Sequence, residues 1–129
     1  MASHVYPLAK QSFITKQIDL GADTIKVALL TSAYTYSAAH QFRSSLSGVI
    51  QLSGALASKT ETNGVFAAAD TTLTSVPGGS TVAALVLYRD TGSSATDDLI
   101  AFVDGLSQVT NGSDITIAWD TSAAKIFAL

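Results

Sequence analysis

The segment from Thr81 to Arg89 is the most hydrophobic stretch of the chain that has the composition of a β-strand. An extended chain turns successive side chains to opposite faces of its sheet. Here Val82, Ala84, Val86 and Tyr88 alternate with Ala83, Leu85 and Leu87, so both faces are apolar. We therefore predict that this strand lies centrally in a sheet that other parts of the chain cover on both sides.

Shorter β patterns separated by turn signals surround this segment. In the stretch 24–31 the residues Ile25, Val27 and Leu29 share one face of a predicted strand. Turns are predicted at Asn63-Gly64, at a Pro77–Gly79 hairpin and at 111–114. Further strands are predicted at 49–60 (with a bend at Gly54), 71–76, 99–103, 115–119 and 125–129. Short strands about ten residues apart predict a mainly β fold, an antiparallel β-sandwich or a barrel-like single domain.

Two short helical segments accompany the strands. Pro7 suits the first position of a helix, and Phe13 or Ile14 together with Ile18 forms an apolar stripe. We predict a helix from Pro7 to Ile18 that Gly21 terminates. Ser37 is a possible N-cap for one or two further helical turns that end near Arg43.

A chain of 129 residues has the length of one domain, so residues 1–129 are predicted to form a single β-rich domain. Residues 1–7 are a possible N-terminal arm. The terminal strand 125–129 is apolar on both faces over its last four residues, which is unusual for a solvated tail. It is therefore predicted either to lie in the interior or to pair with another subunit.

The chain carries unusually few charges. Charged residues make up 13%, against about 25% in an average globular domain, while 47% of residues are hydrophobic and the net charge is -3. An acidic chain with 7 Lys and Arg lacks the basic surface that nucleic-acid binding requires. The absence of Cys excludes disulfides and zinc–thiolate sites. The N-terminus is not a signal peptide, and the uncharged stretch 27–42 is too polar to cross a membrane.

No set of residues in the sequence indicates catalysis. The histidines His4 and His40 lie in no recognisable nucleophile motif, and phosphate-binding glycine loops are absent. Asp97-Asp98 and most other aspartates adjoin strand ends, where they are predicted to cap turns. A calcium site formed by Asp90, Asp97 and Asp98 is an alternative, although their spacing is not that of an EF-hand. We predict no catalytic residues, no cofactor and no metal.

Association with other proteins remains as the predicted activity. So few charges imply an outer surface of Ser, Thr, Ala and Gly, which costs little entropy to order on contact. Tyr34 and Tyr36 share a face in an extended segment and would form an exposed pair that anchors an interface. The predicted interface residues are Tyr6, Tyr34, Tyr36, Phe42, Ile126, Phe127 and Leu129. We expect a homo-oligomer.

The order of motifs resembles a family of small virion proteins of tailed bacteriophages, of the capsid-decoration or tail-associated type. The resemblance extends over nearly the whole chain and rests on Asp23–Leu30, Tyr34–His40, Ala84–Gly92, Leu99–Phe102, Asn111–Trp119 and Lys125–Phe127. It implies a structural protein without catalytic residues. It also implies synthesis in the host cytoplasm, location in the virion, and partners such as the major capsid protein or tail proteins.

Three functions follow as hypotheses. The first is a capsid decoration (cement) protein, bound in many copies to the outside of the head. The second is a tail or tail-tip component. The third is a carbohydrate- or calcium-binding module, for which Tyr34, Tyr36 and Trp119 would lie beside acidic loops.

Overall fold

A five-stranded antiparallel sheet is the centre of the structure, a computed structural model that describes residues 2–19, 22–62, 65–104, 106–117 and 127–128. The elements in chain order are β1 (Ala2–Val5), α1 (Pro7–Ile14), β2 (Ile25–Leu30), a 3₁₀ turn (Arg43–Ser45), β3 (Val49–Leu52), β4 (Thr60–Thr62), β5 (Val65–Ala67), β6 (Thr71–Leu73), β7 (Thr81–Val82), β8 (Ala84–Arg89), β9 (Leu99–Asp104), β10 (Gln108–Val109), β11 (Ile115–Ile117) and β12 (Phe127–Ala128). With 36% strand, 11% helix and antiparallel sheets, the predicted mainly β, sandwich-like fold is confirmed.

Strand β8 occupies the middle of the central sheet, whose order is β1-β9-β8-β2-β3. From Ala84 to Tyr88 every residue of β8 is buried, on both faces. The predicted central position of this segment is therefore confirmed, although the strand begins at Ala84. Ala83 separates it from β7 and donates its N–H to the carbonyl of Leu30.

The two faces of the central sheet have different covers. Leu29 and Leu85 are opposite each other on one face, where Ile115 and Ile117 of β11 share a cavity with them. Val86 and Phe102 are paired on the other face. There Phe102 packs against the rings of Tyr34 and Tyr36. One cover is thus made of small sheets, and the other is an aromatic loop segment.

Three small antiparallel sheets accompany the central one: β7 with β10, β6 with β11, and β4-β5-β12. The hairpin predicted at Pro77–Gly79 is wrong, because β6 and β7 pair with different strands. The predicted strand 49–60 is also wrong in part, since 53–59 is irregular between β3 and β4. Strands β4 and β5 do form a hairpin with Thr62 opposite Val65, as the turn signal between them predicts, although Asn63 and Gly64 lie outside the described residues.

Helix α1 is shorter than predicted, because it ends at Ile14 instead of Ile18. Lys16 adopts a left-handed conformation (φ 63°) and donates its N–H to Phe13, while Gln17 donates to Ser12. These two bonds form a Schellman motif, the usual closure of a helix, here without the glycine that normally marks it. Of the predicted apolar stripe, Ile18 is buried and Phe13 packs against the core, whereas Ile14 is 83% exposed. Gly21 lies outside the described residues.

The second helical segment begins later than predicted. The backbone around Ser37 forms a turn in which His40 donates its N–H to the Ser37 carbonyl. The Ser37 hydroxyl accepts from Ala39, as in a Ser/Thr turn, and does not cap a helix. In this segment, helical structure is confined to the 3₁₀ turn from Arg43 to Ser45.

Both ends of the chain join sheets. Residues 2–5, within the predicted N-terminal arm, are strand β1 and pair with β9 over their whole length. Of the predicted terminal strand 125–129, Phe127 and Ala128 are described and pair with Phe66 and Val65 of the same chain. In the described part of the chain, no helix is long and apolar enough to cross a membrane.

Candidate functional site

The predicted interface tyrosines form an internal aromatic cluster. Tyr6, between β1 and α1, is 0% exposed, and Tyr34 is 6% exposed. Tyr36 is half-buried, with its ring 5.0 Å from that of Tyr6 and 5.4 Å from that of Phe102. The prediction of an exposed Tyr34–Tyr36 pair is wrong, because the segment 31–46 folds back over the central sheet and buries Tyr34.

A chain of hydrogen bonds runs through this cluster. The hydroxyls of Tyr6 and Tyr34 are 2.7 Å apart, and the Tyr34 hydroxyl is 2.8 Å from Nδ1 of His40. Each of these two hydrogen bonds needs one hydrogen, and each tyrosine hydroxyl can supply one. We assign the direction in which both hydroxyls donate: Tyr6 donates to Tyr34, Tyr34 donates to His40, and Nδ1 of His40 is the acceptor. A hydrogen on Nδ1 would leave one donor of the cluster without an acceptor.

The electrostatics of the cluster favour neutral phenols. Burial raises the pKa of Tyr6, and the hydrogen bond to Tyr34 raises it further. Burial also raises the pKa of Tyr34, against the lowering effect of the hydrogen bond from Tyr6. The cluster therefore has the chemistry of a polar core network that holds loop 31–46 on the sheet.

A second polar network closes the end of the central sheet where β8 and β9 meet. The Asp97 carboxylate accepts from Nε of Arg43 at 2.7 Å, and its other oxygen accepts from the Thr91 backbone at 2.6 Å. Arg89 reaches the neighbouring Asp98 with Nη2 at 2.6 Å and Nε at 2.9 Å. The side chains of Asp97 and Asp98 are 0% and 1% exposed. This network joins the 3₁₀ turn, the 91–98 loop and both central strands.

The predicted turn caps are confirmed in part within this network. Asp97 caps the N–H of Thr91, and Asp90 caps that of Gly92. Asp98 instead forms an ion pair with Arg89. The two residues are neighbours across the β8–β9 hairpin, where Arg89 donates its backbone N–H to the Asp98 carbonyl. The hairpin register could therefore have predicted this pair. Sequence gave no comparable signal for Arg43, which approaches Asp97 from far along the chain and also lies over the ring of Tyr88 at 5.3 Å.

Two carboxylates at this end of the sheet, those of Asp97 and Asp90, have lowered pKa values. Burial alone would raise the pKa of Asp97, but hydrogen bonds from Thr91 and Arg43 outweigh it and lower the pKa. The hydrogen bond from Lys26, 2.7 Å away, lowers the pKa of Asp90. The three aspartates proposed as calcium ligands are thus each paired with a basic side chain. Among the described residues no group of three or more His, Asp or Glu side chains could hold a metal ion.

The remaining predicted interface residues have separate locations. Phe42 is half-buried and forms an isolated β-bridge with Asp98, so it helps to align the 3₁₀ turn with β9. The backbone of Phe127 belongs to β12. Ile126, Leu129 and Trp119 lie outside the described residues. Of the predicted interface residues whose side chains are described, Tyr6, Tyr34 and Tyr36 belong to the internal cluster, and Phe42 belongs to the bridge with β9.

The exposed apolar side chains are not those that the sequence indicated. Large hydrophobic residues exposed in the described part of the chain are Ile14 (83%), Val109 (65%), Val49 (42%) and Leu52 (36%). Val49 and Leu52 lie opposite Leu30 and Ala28, on the same face of the central sheet. Such solvent-exposed aliphatic residues at a sheet edge have no signature in a single sequence, because the neighbours that fail to cover them are distant along the chain.

A cavity of about 270 Å³ opens between the central sheet and the small sheets. Its apolar lining consists of Leu29, Val82, Leu85, Leu106, Ile115 and Ile117. Ser107, Gln108 and Thr116 are its polar lining residues. Among the described residues that line it, none is charged.

Comparison with models of protein families, with curated proteins and with solved structures finds no match for this chain. The fold and the surface described above are therefore the basis on which a function can be proposed.

Proposed function

We propose that this chain is a non-enzymatic structural protein of a bacteriophage virion, and specifically a capsid decoration protein that binds in many copies to the outside of the head. The observation that carries the proposal is that several charged side chains form ion pairs within the chain, which leaves few charges on its surface. Lys26, Arg43 and Arg89 are each paired with an aspartate of the same chain. In the part of the chain whose side chains are described, the charged residues that remain exposed are Lys10, Lys16, Asp19, Asp70 and Asp114.

A surface of this kind suits permanent contact with other proteins. Soluble monomers ordinarily carry many surface charges, which oppose association. Charged residues are depleted at the centre of protein interfaces, because their desolvation is costly. The exposed aliphatic side chains of Val49, Leu52 and Val109 add apolar area that contact with a neighbour would remove from water.

The polar networks support a structural role over a catalytic one. His40 is hydrogen-bonded to Tyr34, and Asp97 and Asp98 form ion pairs with arginines. These residues join loops to the central sheet, and a rigid subunit suits repeated packing in a symmetric shell. The resemblance to phage virion proteins agrees with this role, and it is the reason for choosing a virion as the assembly.

Quantitative mass spectrometry of purified particles tests the proposal. A decoration protein should be present at a copy number comparable to that of the major capsid protein. A copy number that corresponds to only one ring or a few rings of subunits would instead indicate the tail or tail-tip alternative. Absence from washed particles would contradict a virion role altogether, and a shift in melting temperature with calcium or a glycan would then favour the recognition module.

A further inference from the structure

Strand β3 is an open edge of the central sheet. In the described part of the chain, its one neighbour in the sheet is β2. The opposite edge strand, β1, lies beside β12. Proteins usually protect an exposed edge with lysine, proline or a covering loop. Strand β3 has the sequence Val-Ile-Gln-Leu and contains none of these residues.

The orientation of the backbone identifies the available hydrogen-bonding groups. Ser53 donates its N–H to the Val27 carbonyl, and Leu52 is opposite Ala28. In an antiparallel pair, residues that exchange hydrogen bonds alternate with residues whose N–H and C=O groups point away. The N–H and C=O of Leu52 therefore point outward from the sheet. A register shift places a bulge at Ile50 and Leu52 is the last residue of β3, so the regular part of this edge is Gln51 and Leu52.

The chain segment that carries this edge is free of charge. Residues 44–58 contain no Asp, Glu, Lys or Arg. The charges that bound this run are turned inward: Arg43 pairs with Asp97, and Lys59 donates to the carbonyl of Asp23. Two copies of this edge could therefore approach each other without repulsion between like charges.

We propose that the occupant of this edge is strand β3 of a second copy of the chain, paired antiparallel about a two-fold axis at Leu52. The two Leu52 residues would exchange both backbone hydrogen bonds, with their Cα atoms about 5.5 Å apart. The two sheets would become one continuous sheet, and the partner strand would cover the Leu52 side chain, which is 36% exposed. This dimer rests on the proposed function, for which it provides the building unit.

Substitutions at Leu52 test the dimer in the full-length chain, with Val109 as the matched control. Val109 is also an exposed aliphatic residue of a short strand, but it belongs to β10 in a different sheet. In sedimentation velocity, Leu52→Lys should raise the dimer dissociation constant about tenfold or more, because two like charges then meet at the axis. Val109→Lys should leave it unchanged. A monomeric wild-type chain, or equal effects of both substitutions, would overturn the proposal.

Cross-linking gives a second measurement that does not depend on the stability of the lysine variant. Since the chain has no cysteine, Leu52→Cys introduces a single thiol. Directly opposite residues of an antiparallel pair have Cβ atoms about 5 Å apart, so a short bis-maleimide reagent should link the two thiols of the dimer. Val109→Cys should not form this link. If neither variant or both variants cross-link alike, the assigned axis is wrong.

The particle experiment separates this inference from the proposed function. A monomeric chain that is abundant in particles would refute the β3 dimer and leave the virion role intact. A protein that is absent from particles but forms a dimer linked through Leu52→Cys would support the β3 dimer and refute the virion role.

Discussion

The hydroxyl of Tyr34 lies 2.8 Å from Nδ1 of His40 in the same loop and 2.7 Å from the hydroxyl of Tyr6, and the second contact joins the loop covering the central sheet to the buried Tyr6. Near Tyr36 the loop is held by aromatic contacts, which are weakly directional, and toward its end by the Arg43–Asp97 ion pair. The hydrogen-bonded chain gives it a defined position on the sheet. Its directionality leads to two predictions.

The first prediction concerns the tautomer of His40. Because Nδ1 accepts the Tyr34 hydrogen, the neutral imidazole should carry its hydrogen on Nε2. Nitrogen-15 NMR of the imidazole at a pH where it is neutral distinguishes the two tautomers directly. A hydrogen on Nδ1 would show that the chain runs in the opposite direction.

The second prediction concerns the coupling of Tyr6 and Tyr34. Tyr34→Phe should lower the free energy of unfolding by about 2 kcal/mol, since it leaves the fully buried Tyr6 hydroxyl without its acceptor. Tyr6→Phe removes only a donor and should cost about 1 kcal/mol. The double variant should be less destabilised than the sum of the two, by about 1 kcal/mol, in urea denaturation. Additive effects would mean that the hydroxyls do not interact.

The third prediction compares a buried ion pair with an exposed one. Asp97→Ala removes a 0% exposed carboxylate and leaves Arg43 and the Thr91 N–H without a partner. We expect a loss of about 3 kcal/mol of unfolding free energy. Lys26→Ala, which breaks the more exposed Lys26–Asp90 pair, should cost about 0.5 kcal/mol. Equal losses in the two variants would contradict the structural role of Asp97.

The fourth prediction is a loss of stability in alkali. Burial raises the pKa of Tyr88 to about 12, and it also raises the pKa values of Tyr6 and Tyr34. The unfolded chain loses the same protons near pH 10, so stability is fully present below about pH 10 and falls as the pH rises toward the folded-state values. Urea midpoints measured between about pH 9 and pH 11 should decrease, and Tyr88→Phe should make the decrease shallower. A midpoint that is constant over this range would refute the burial of these phenols.

The fifth prediction concerns the turn that leads into β3. Gly48 has a φ of 63°, and a Cβ at this position would lie 2.3 Å from Oγ1 of Thr31. Gly48→Ala should therefore cost about 2 kcal/mol, from the strained backbone and from displacement of Thr31. Gly54→Ala is the control, because a Cβ there meets no atom within 4 Å. Thermal unfolding that shifts equally in both variants would contradict the tight packing at Gly48.

The sequence predicted those features that depend on local patterns. Strand β8 was recognisable because its own residues are apolar on both faces, and the hairpin of β4 and β5 because its turn has a characteristic sequence. The end of α1 was not recognisable, since Lys16 takes the left-handed position that usually indicates glycine. The positions of Tyr34 and Asp97 depend on partners far along the chain, such as Tyr6 and Arg43, and local periodicity carries no information about those contacts.

Cryo-electron microscopy of phage particles that carry this chain tests the central claim most directly. We predict density for the β-rich domain at repeated positions over the outer surface of the head, in a number set by the capsid symmetry. The central five-stranded sheet should fit that density with its uncharged surfaces against neighbouring subunits. Heads without such density, in particles whose capsid is well resolved, would contradict a capsid decoration role.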